Sequence, residues 1–184
     1  MSAIKNRLIL LAALMVAGTA AAGSDAGDGN GAVNVVAQKQ SDKQGQKSFS
    51  LPGLDGVTHR LADWKGKVVI LNFWASWCSP CLYEIRDFVA YQEKYRERGL
   101  QIIGIGVDEE DKLRNVQRTL EINYPVLVAN PKRYPYLMKT WGNESGVIPF
   151  SVVIDRKGQV IFAQHGQIDH DTFIEDILPL LDKT

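Results

Sequence analysis

The sequence predicts an α/β domain in which helices cover both faces of a central mixed sheet. Three observations lead there. Residues 68–74 (Val-Val-Ile-Leu-Asn-Phe-Trp) form a near-continuous apolar run, as a strand buried on both faces requires. Apolar segments of strand length then alternate with segments of helical period, the pattern of a largely parallel sheet with helical crossovers. Late in the chain, two short apolar runs flank Asp155-Arg156-Lys157-Gly158 and add an antiparallel hairpin at one edge. A length of 184 residues with 45% hydrophobic content suits one packed domain plus additional segments.

Taken in order, the chain opens on an export signal. Lys5 and Arg7 precede an apolar stretch over residues 8–22, which ends in Ala20-Ala21-Ala22. The run has 15 residues, short of the roughly 20 that span a bilayer, so cleavage after Ala22 is expected. A retained N-terminal membrane anchor is the alternative. Residues 23–47 are rich in Gly, Ser, Asp, Gln and Lys and read as a flexible linker, which leaves residues 48–184 as the folded domain. Phe49, Leu51 and Leu54 lead into the Asp55-Gly56 turn, and residues 57–61 return as the second strand of a hairpin.

The central strand over 68–74 follows the Lys65-Gly66-Lys67 turn. A helix is expected over 80–98, because Cys81, Ile85, Phe88, Gln92 and Tyr95 recur on one stripe and Gly99 supplies a stop. Residues 100–107 read as a strand, 108–120 as a helix with an acidic start, 124–128 as a short strand and 135–141 as a short helix. Strands over 151–154 and 159–162 form the late hairpin. An amphipathic helix over 169–181, capped by Asp169, closes the chain. Gly104-Ile105-Gly106 lies inside a strand and reads as packing, not as a phosphate loop.

Charge and cysteine content narrow the function. The 21 basic and 21 acidic side chains balance, with none of the basic excess of a nucleic-acid binder. The two cysteines, Cys78 and Cys81, are too few for a tetrahedral thiolate zinc site or a disulfide framework. They act as one local pair, in Trp77-Cys78-Ser79-Pro80-Cys81, where a buried strand ends and a helix begins. Free N–H groups and a partial positive charge at a helix start stabilise a thiolate. Pro80 suits the first turn, where its missing N–H costs nothing. Cys78, at the helix end, is expected to be exposed and to attack a disulfide. Cys81, one turn on and facing the core, is expected to resolve the mixed disulfide. Leu82 stands where haem attachment needs His. Copper binding by the two thiols, with His59, His165 or His170 as further ligands, is the competing reading.

Residues 69–81, Val-Ile-Leu-Asn-Phe-Trp-Ala-Ser-Trp-Cys-Ser-Pro-Cys, resemble the active-site segment of the TlpA-like (TlpA/ResA-type) thioredoxin family, exported bacterial thiol-disulfide oxidoreductases. The resemblance covers about residues 47–182. It implies a thioredoxin fold with an N-terminal β-hairpin and a TlpA-like central insertion. Gly146-Val147-Ile148-Pro149 matches the family's cis-proline loop, so Pro149 would shape the loop and Ile148 would offer its backbone to substrate. Trp77 would shape the substrate-facing surface. Phe150 departs from the Thr common after that proline. A peroxidatic site is not implied, since Leu71 and Ala75 stand where peroxiredoxins carry Pro and Thr. Thioredoxin has a buried Asp where this chain has Asn72, which cannot act as a base. Glu84, three residues after Cys81, matches an acidic position of the family and would accept the Cys81 proton; a solvated side chain is the other reading.

The resemblance further implies a periplasmic protein-disulfide reductase that needs no cofactor beyond the redox-active Cys78–Cys81 disulfide. Its partners would be disulfide-containing exported proteins, such as apocytochrome c or copper-site proteins, and a membrane thiol-transporting electron donor. A monomer with no nucleic-acid partner is expected. A disulfide-forming oxidant and a copper-carrying chaperone remain as alternatives.

Overall fold

The computed structural model describes residues 47–182. The expected signal and nearly all of the linker lie outside these residues. The central sheet has five strands in the order β5-β4-β3-β6-β7: β3 (Val68–Trp74), β4 (Leu100–Gly106), β5 (Val126–Val128), β6 (Phe150–Ile154) and β7 (Val160–His165). A separate hairpin, β1 (Ser50–Pro52) with β2 (Thr58–Arg60), precedes it. β3 pairs with β4 in parallel and with β6 antiparallel, and every side chain of β3 and β4 is buried. That is why their sequences show no alternation of apolar and polar residues.

Among the described residues, four helices lie between or after the strands of the central sheet: α1 (Ser79–Tyr95), α2 (Glu110–Thr119), α3 (Leu137–Thr140) and α4 (His170–Thr172). The expected α1 stripe is buried, including Gln92, its one polar member, whose Oε1 accepts from the Ile102 N–H at 2.7 Å. Gly99 ends this region with a left-handed conformation at φ 90°. Gly104 and Gly106 are packing glycines. A Cβ at Gly104 would meet Trp74 and Tyr124, and one at Gly106 would meet Leu113 of α2.

Several boundaries move from their expected places. Leu61 leaves β2 and opens a short 3₁₀ turn, Leu61–Trp64. Asp108 stands outside α2 and bonds elsewhere. β7 runs on to His165, beyond the expected 162. The closing helix is not one regular element. Asp169 caps it as expected, accepting from the Thr172 N–H at 2.9 Å, but α4 passes into a π turn at Phe173–Ile177 and a 3₁₀ turn at Leu178–Leu181. Pro179, which has no N–H for the helical ladder, lies in that last turn.

The insertion carrying α2 and β5 widens the sheet, and the N-terminal hairpin covers the new edge. Gly53 bridges Leu127, the Leu54 N–H donates to the Val126 carbonyl at 2.9 Å, and Arg114 of α2 donates to the Leu54 carbonyl. At the pole of the sheet where β3 begins, Arg156 donates to the carbonyls of Gly66, Arg98 and Leu181 and ties three segments together. Gly106→Val is expected to overpack the contact with Leu113 and lower stability by about 1–3 kcal/mol, read as a reduced urea midpoint with unchanged slope.

Candidate active site

β3 ends at Trp74, and the chain then turns through Ala75-Ser76-Trp77, with the Cys78 N–H donating to the Ala75 carbonyl at 3.1 Å. Cys78 is the N-cap of α1, and the first helical bond runs from the Leu82 N–H to the Cys78 carbonyl. Cys78 and Cys81 are joined by a disulfide with their Cα atoms 5.3 Å apart. The expected exposure of Cys78 is corrected: it is only 4% exposed, and Cys81 is fully buried. The disulfide holds the Cys78 sulfur against a partner that has no solvent access. The neighbouring Trp77 is 70% exposed, whereas Trp74 is core.

A carboxylate holds the turn that carries Trp77 and Cys78. Asp108, just past β4 and almost buried, accepts at Oδ2 from the Ser76 hydroxyl at 2.5 Å and the Ser76 N–H at 3.3 Å, and at Oδ1 from the Glu109 N–H at 2.8 Å. Burial pushes its carboxyl up, but these bonds and the Lys112 charge outweigh it and hold Asp108 below the ordinary range.

The Ile148–Pro149 peptide is cis, as the resemblance implied. Phe150 pairs with Phe73 across β6 and β3, so Pro149 sits at the same end of the sheet as Cys78. Asn143, fully buried, shapes the approach to this loop. Its Nδ2 donates to the Val147 carbonyl at 2.7 Å, and its Oδ1 accepts from the Gly146 N–H and the Ser145 hydroxyl. The Gly166 N–H engages the Pro149 carbonyl, while among the described residues no hydrogen bond engages the Ile148 backbone. Val147 is 57% exposed. Phe150 is fully buried against Phe73, with ring centroids 5.7 Å apart, so its departure from Thr is absorbed by the core.

Glu84 lies one turn beyond Cys81 and is fully buried, which removes the solvated reading. Its Oε2 accepts from Asn72 Nδ2 at 2.7 Å, and its Oε1 from the Ile168 N–H at 2.6 Å. Asn72 donates its second N–H to Ser151 Oγ at 2.9 Å. Burial pushes the Glu84 carboxyl up to about 7, against the bonds from Ile168 and Asn72, and the Asp87 charge adds to the rise. Gln167 Nε2 donates to the Pro80 carbonyl, so the segment before α4 contacts both the helix start and, through Ile168, Glu84.

The structure thus brings Cys78, Cys81, Trp77 and the Ile148–Pro149 loop to one end of the sheet, with Glu84 buried one turn down α1. Asn143, Ser151 and Ile168 were not read from the sequence. Asn143 and Ser151 are single polar residues in ordinary surroundings, and Ile168 contributes a backbone N–H that any residue but proline would supply there. The three histidines are engaged apart from the disulfide: His59 with Asp55 and Trp64, His165 against Phe150, and His170 with Tyr91. Among the described residues, no group of three or more His, Cys, Asp or Glu is arranged to hold a metal ion.

The chain resembles known proteins along most of its length. The sequence model of the AhpC/TSA family matches residues 43–163. The thiol-disulfide oxidoreductase ResA of Bacillus thuringiensis (strain Al Hakam) is 31% identical over 160 residues, covering 85% of this chain and 87% of that protein. ResA of Bacillus thuringiensis subsp. konkukian is 36% identical over a shorter match, 62% of this chain and 64% of that protein. Among solved structures, a thioredoxin-family thiol:disulfide interchange protein from Chlorobium tepidum TLS is 33% identical with a TM-score of 0.63, covering 74% of this chain and 92% of that one. A secreted thiol-disulfide isomerase from Corynebacterium glutamicum, at 24% identity and a TM-score of 0.67 over 78% of this chain and 90% of its own, supports the thioredoxin fold alone.

The elevated Glu84 proton affinity carries a stability signature. Its folded value of about 7 lies above the ordinary 4.5, so this group's contribution is complete below about 4.5 and is lost as pH rises through about 7. The oxidised protein is expected to lose on the order of 3 kcal/mol from this group between about pH 5 and pH 8. Glu84→Gln should lack that loss. Urea midpoints of both proteins across this range test it, and parallel curves would count against it.

Proposed function

Since the chain belongs to the AhpC/TSA family and carries the features of its ResA-type members, we propose that it is a periplasmic thiol-disulfide oxidoreductase that reduces the disulfides of exported proteins. The observation that carries this reading is a Cys-x-x-Cys disulfide at a helix N-terminus, with a buried carboxylate one turn further on. In the reduced protein, the Cys78 thiolate attacks one sulfur of a target disulfide. The target's own S–S bond breaks, one target thiolate leaves, and a mixed disulfide remains. Cys81 then gives its proton to Glu84 and attacks the Cys78 sulfur. The Cys78–Cys81 bond forms, the mixed disulfide breaks, and the second target thiolate leaves and takes up a proton. Two electrons have passed from the dithiol to the target, and no group beyond the cysteines carries them.

Charge supports this direction of flow. A strong disulfide oxidant needs a stabilised reduced form. A carboxylate buried beside the pair opposes thiolate formation, which favours a reducing couple. The cis-proline loop supports the docking role: Ile148 has a backbone free of partners among the described residues, at the same end of the sheet as the exposed Trp77, and together they suit an extended target segment. Return of the oxidised pair to the dithiol requires a thiol-transporting electron donor in the membrane. Periplasmic placement rests on the N-terminal segment. Among the described residues, no helix is long and apolar enough to cross a membrane. We assign the targets to exported proteins with cytochrome c or copper-site disulfides, and the working form to a monomer without nucleic acid.

The reduction potential of the Cys78/Cys81 pair, measured against a dithiol buffer, tests the direction. A value at or below about −230 mV is expected, toward that of thioredoxin, whereas one near about −120 mV would make the protein an oxidant. A Cys81→Ser variant should accumulate mixed disulfides with its targets through Cys78. Tight Cu(I) binding without any trapped target would replace the enzyme by a copper carrier.

A further inference from the structure

Asn72, Ser151 and Glu84 form a buried chain of side chains that crosses from β6 through β3 to α1. Asn72 and Ser151 are paired in the β3–β6 register, so the sheet itself sets their separation. Both N–H groups of the Asn72 amide are used, one on Glu84 and one on Ser151, and its Oδ1 is buried without a partner among the described residues. An amide has two orientations. Turned about, it would aim its oxygen at the Glu84 carboxylate and its N–H groups at the place where Oδ1 now finds no partner. The Glu84 carboxylate, which only accepts, selects the orientation that turns an N–H toward it, while the Ser151 hydroxyl, by accepting the second N–H, ties the amide to β6.

We propose that Ser151 is a positioning residue for Glu84, acting through Asn72: by accepting the second N–H it keeps the amide within hydrogen-bond reach of the carboxylate that receives the Cys81 proton. The proposal rests on Glu84 being that acceptor. Other groups around Glu84 do not supply this bond. On its own helix stand Cys81 and Asp87. From the segment before β5 comes Tyr124, whose buried hydroxyl has no partner among the described residues and whose proton is held more tightly by burial and by the Glu84 charge. From the segment before α4 comes the Ile168 N–H, beside Asp169, which is committed to capping α4. Among the described residues no cation pairs with Glu84. The amide is therefore the one side chain that stabilises the charged carboxylate. Losing its hydrogen bond moves the proton equilibrium toward the acid form.

The test is the pH–rate profile for single-turnover reduction of insulin disulfides by the fully reduced full-length chain. The acid limb is expected to have its midpoint near that of Glu84. Asn72→Leu should shift the limb upward by about one pH unit, and Ser151→Ala should shift it in the same direction by less. The double variant should shift it no further than Asn72→Leu alone, because Ser151 has nothing to hold once the amide is gone. An unshifted limb in Ser151→Ala, or shifts that simply add in the double variant, would overturn the proposal. Asn72→Ala replaces Asn72→Leu if the latter does not fold, and Ser151→Ala alone remains decisive. Glu84→Gln separates the two levels. If it keeps the acid limb intact, Glu84 is not the acceptor and the underlying reading fails. If it abolishes the limb while Ser151→Ala leaves it in place, only the role given to Ser151 fails.

Discussion

The double pairing of β3 is the constraint on which the other features rest. With β4 on one side in parallel and β6 on the other antiparallel, its register is set along its whole length. That register puts Asn72 across from Ser151, sets Phe73 beside Phe150, and brings the cis peptide before Phe150 to the end where Cys78 caps α1. Side chains of a strand alternate faces, so a slip of one residue would turn Asn72 away from α1 and leave Glu84 buried without it. Burial of all seven side chains of β3 makes such a slip costly in apolar contact as well.

Around this strand the site balances burial against donated hydrogen bonds. Glu84 and Asp108 are both carboxylates close to the redox pair, and the same physics sends them opposite ways. Glu84 has two donors in a dry interior, and desolvation wins. Asp108 has three donors and a lysine nearby at the edge of the structure, and the bonds win. One carboxyl is thereby left able to take and return a proton near neutrality. The other stays a fixed charge that orders the turn leading to Cys78. Two acidic residues of similar chemistry thus differ in proton affinity, divided by their depth.

Much of this was legible in the chain itself, for identifiable reasons. The apolar run of β3, the stripe of α1 and the turn at 155–158 are local patterns, and local patterns survive in sequence. The Cys-x-x-Cys pair stood out through its spacing and its place between a buried strand and a helix, with copper binding left as the competing reading. Other features depend on pairings between distant residues. The exposure of Cys78 was misjudged because a helix cap is usually open, and here the disulfide draws its sulfur to an interior partner. The closing helix has a continuous amphipathic pattern, yet it passes into a π turn at Phe173–Ile177 and a 3₁₀ turn that holds Pro179. Asn143 and Ser151 gave no signal, since a polar residue acquires its meaning from the neighbours that folding brings to it.

The hairpin that covers β5 also bears on the order of folding. Gly53 and Leu54 meet Leu127 and Val126 only after two crossovers have been made. A chain that emerges from its N-terminus presents the cover first and the edge it protects much later. Until then both the hairpin and the nascent parallel sheet carry unpaired strand edges, the surfaces on which chains join one another. Contacts of such long separation form slowly. The widened sheet therefore adds a period of vulnerability to assembly, and the clasp between the hairpin and β5 marks the point at which that period closes.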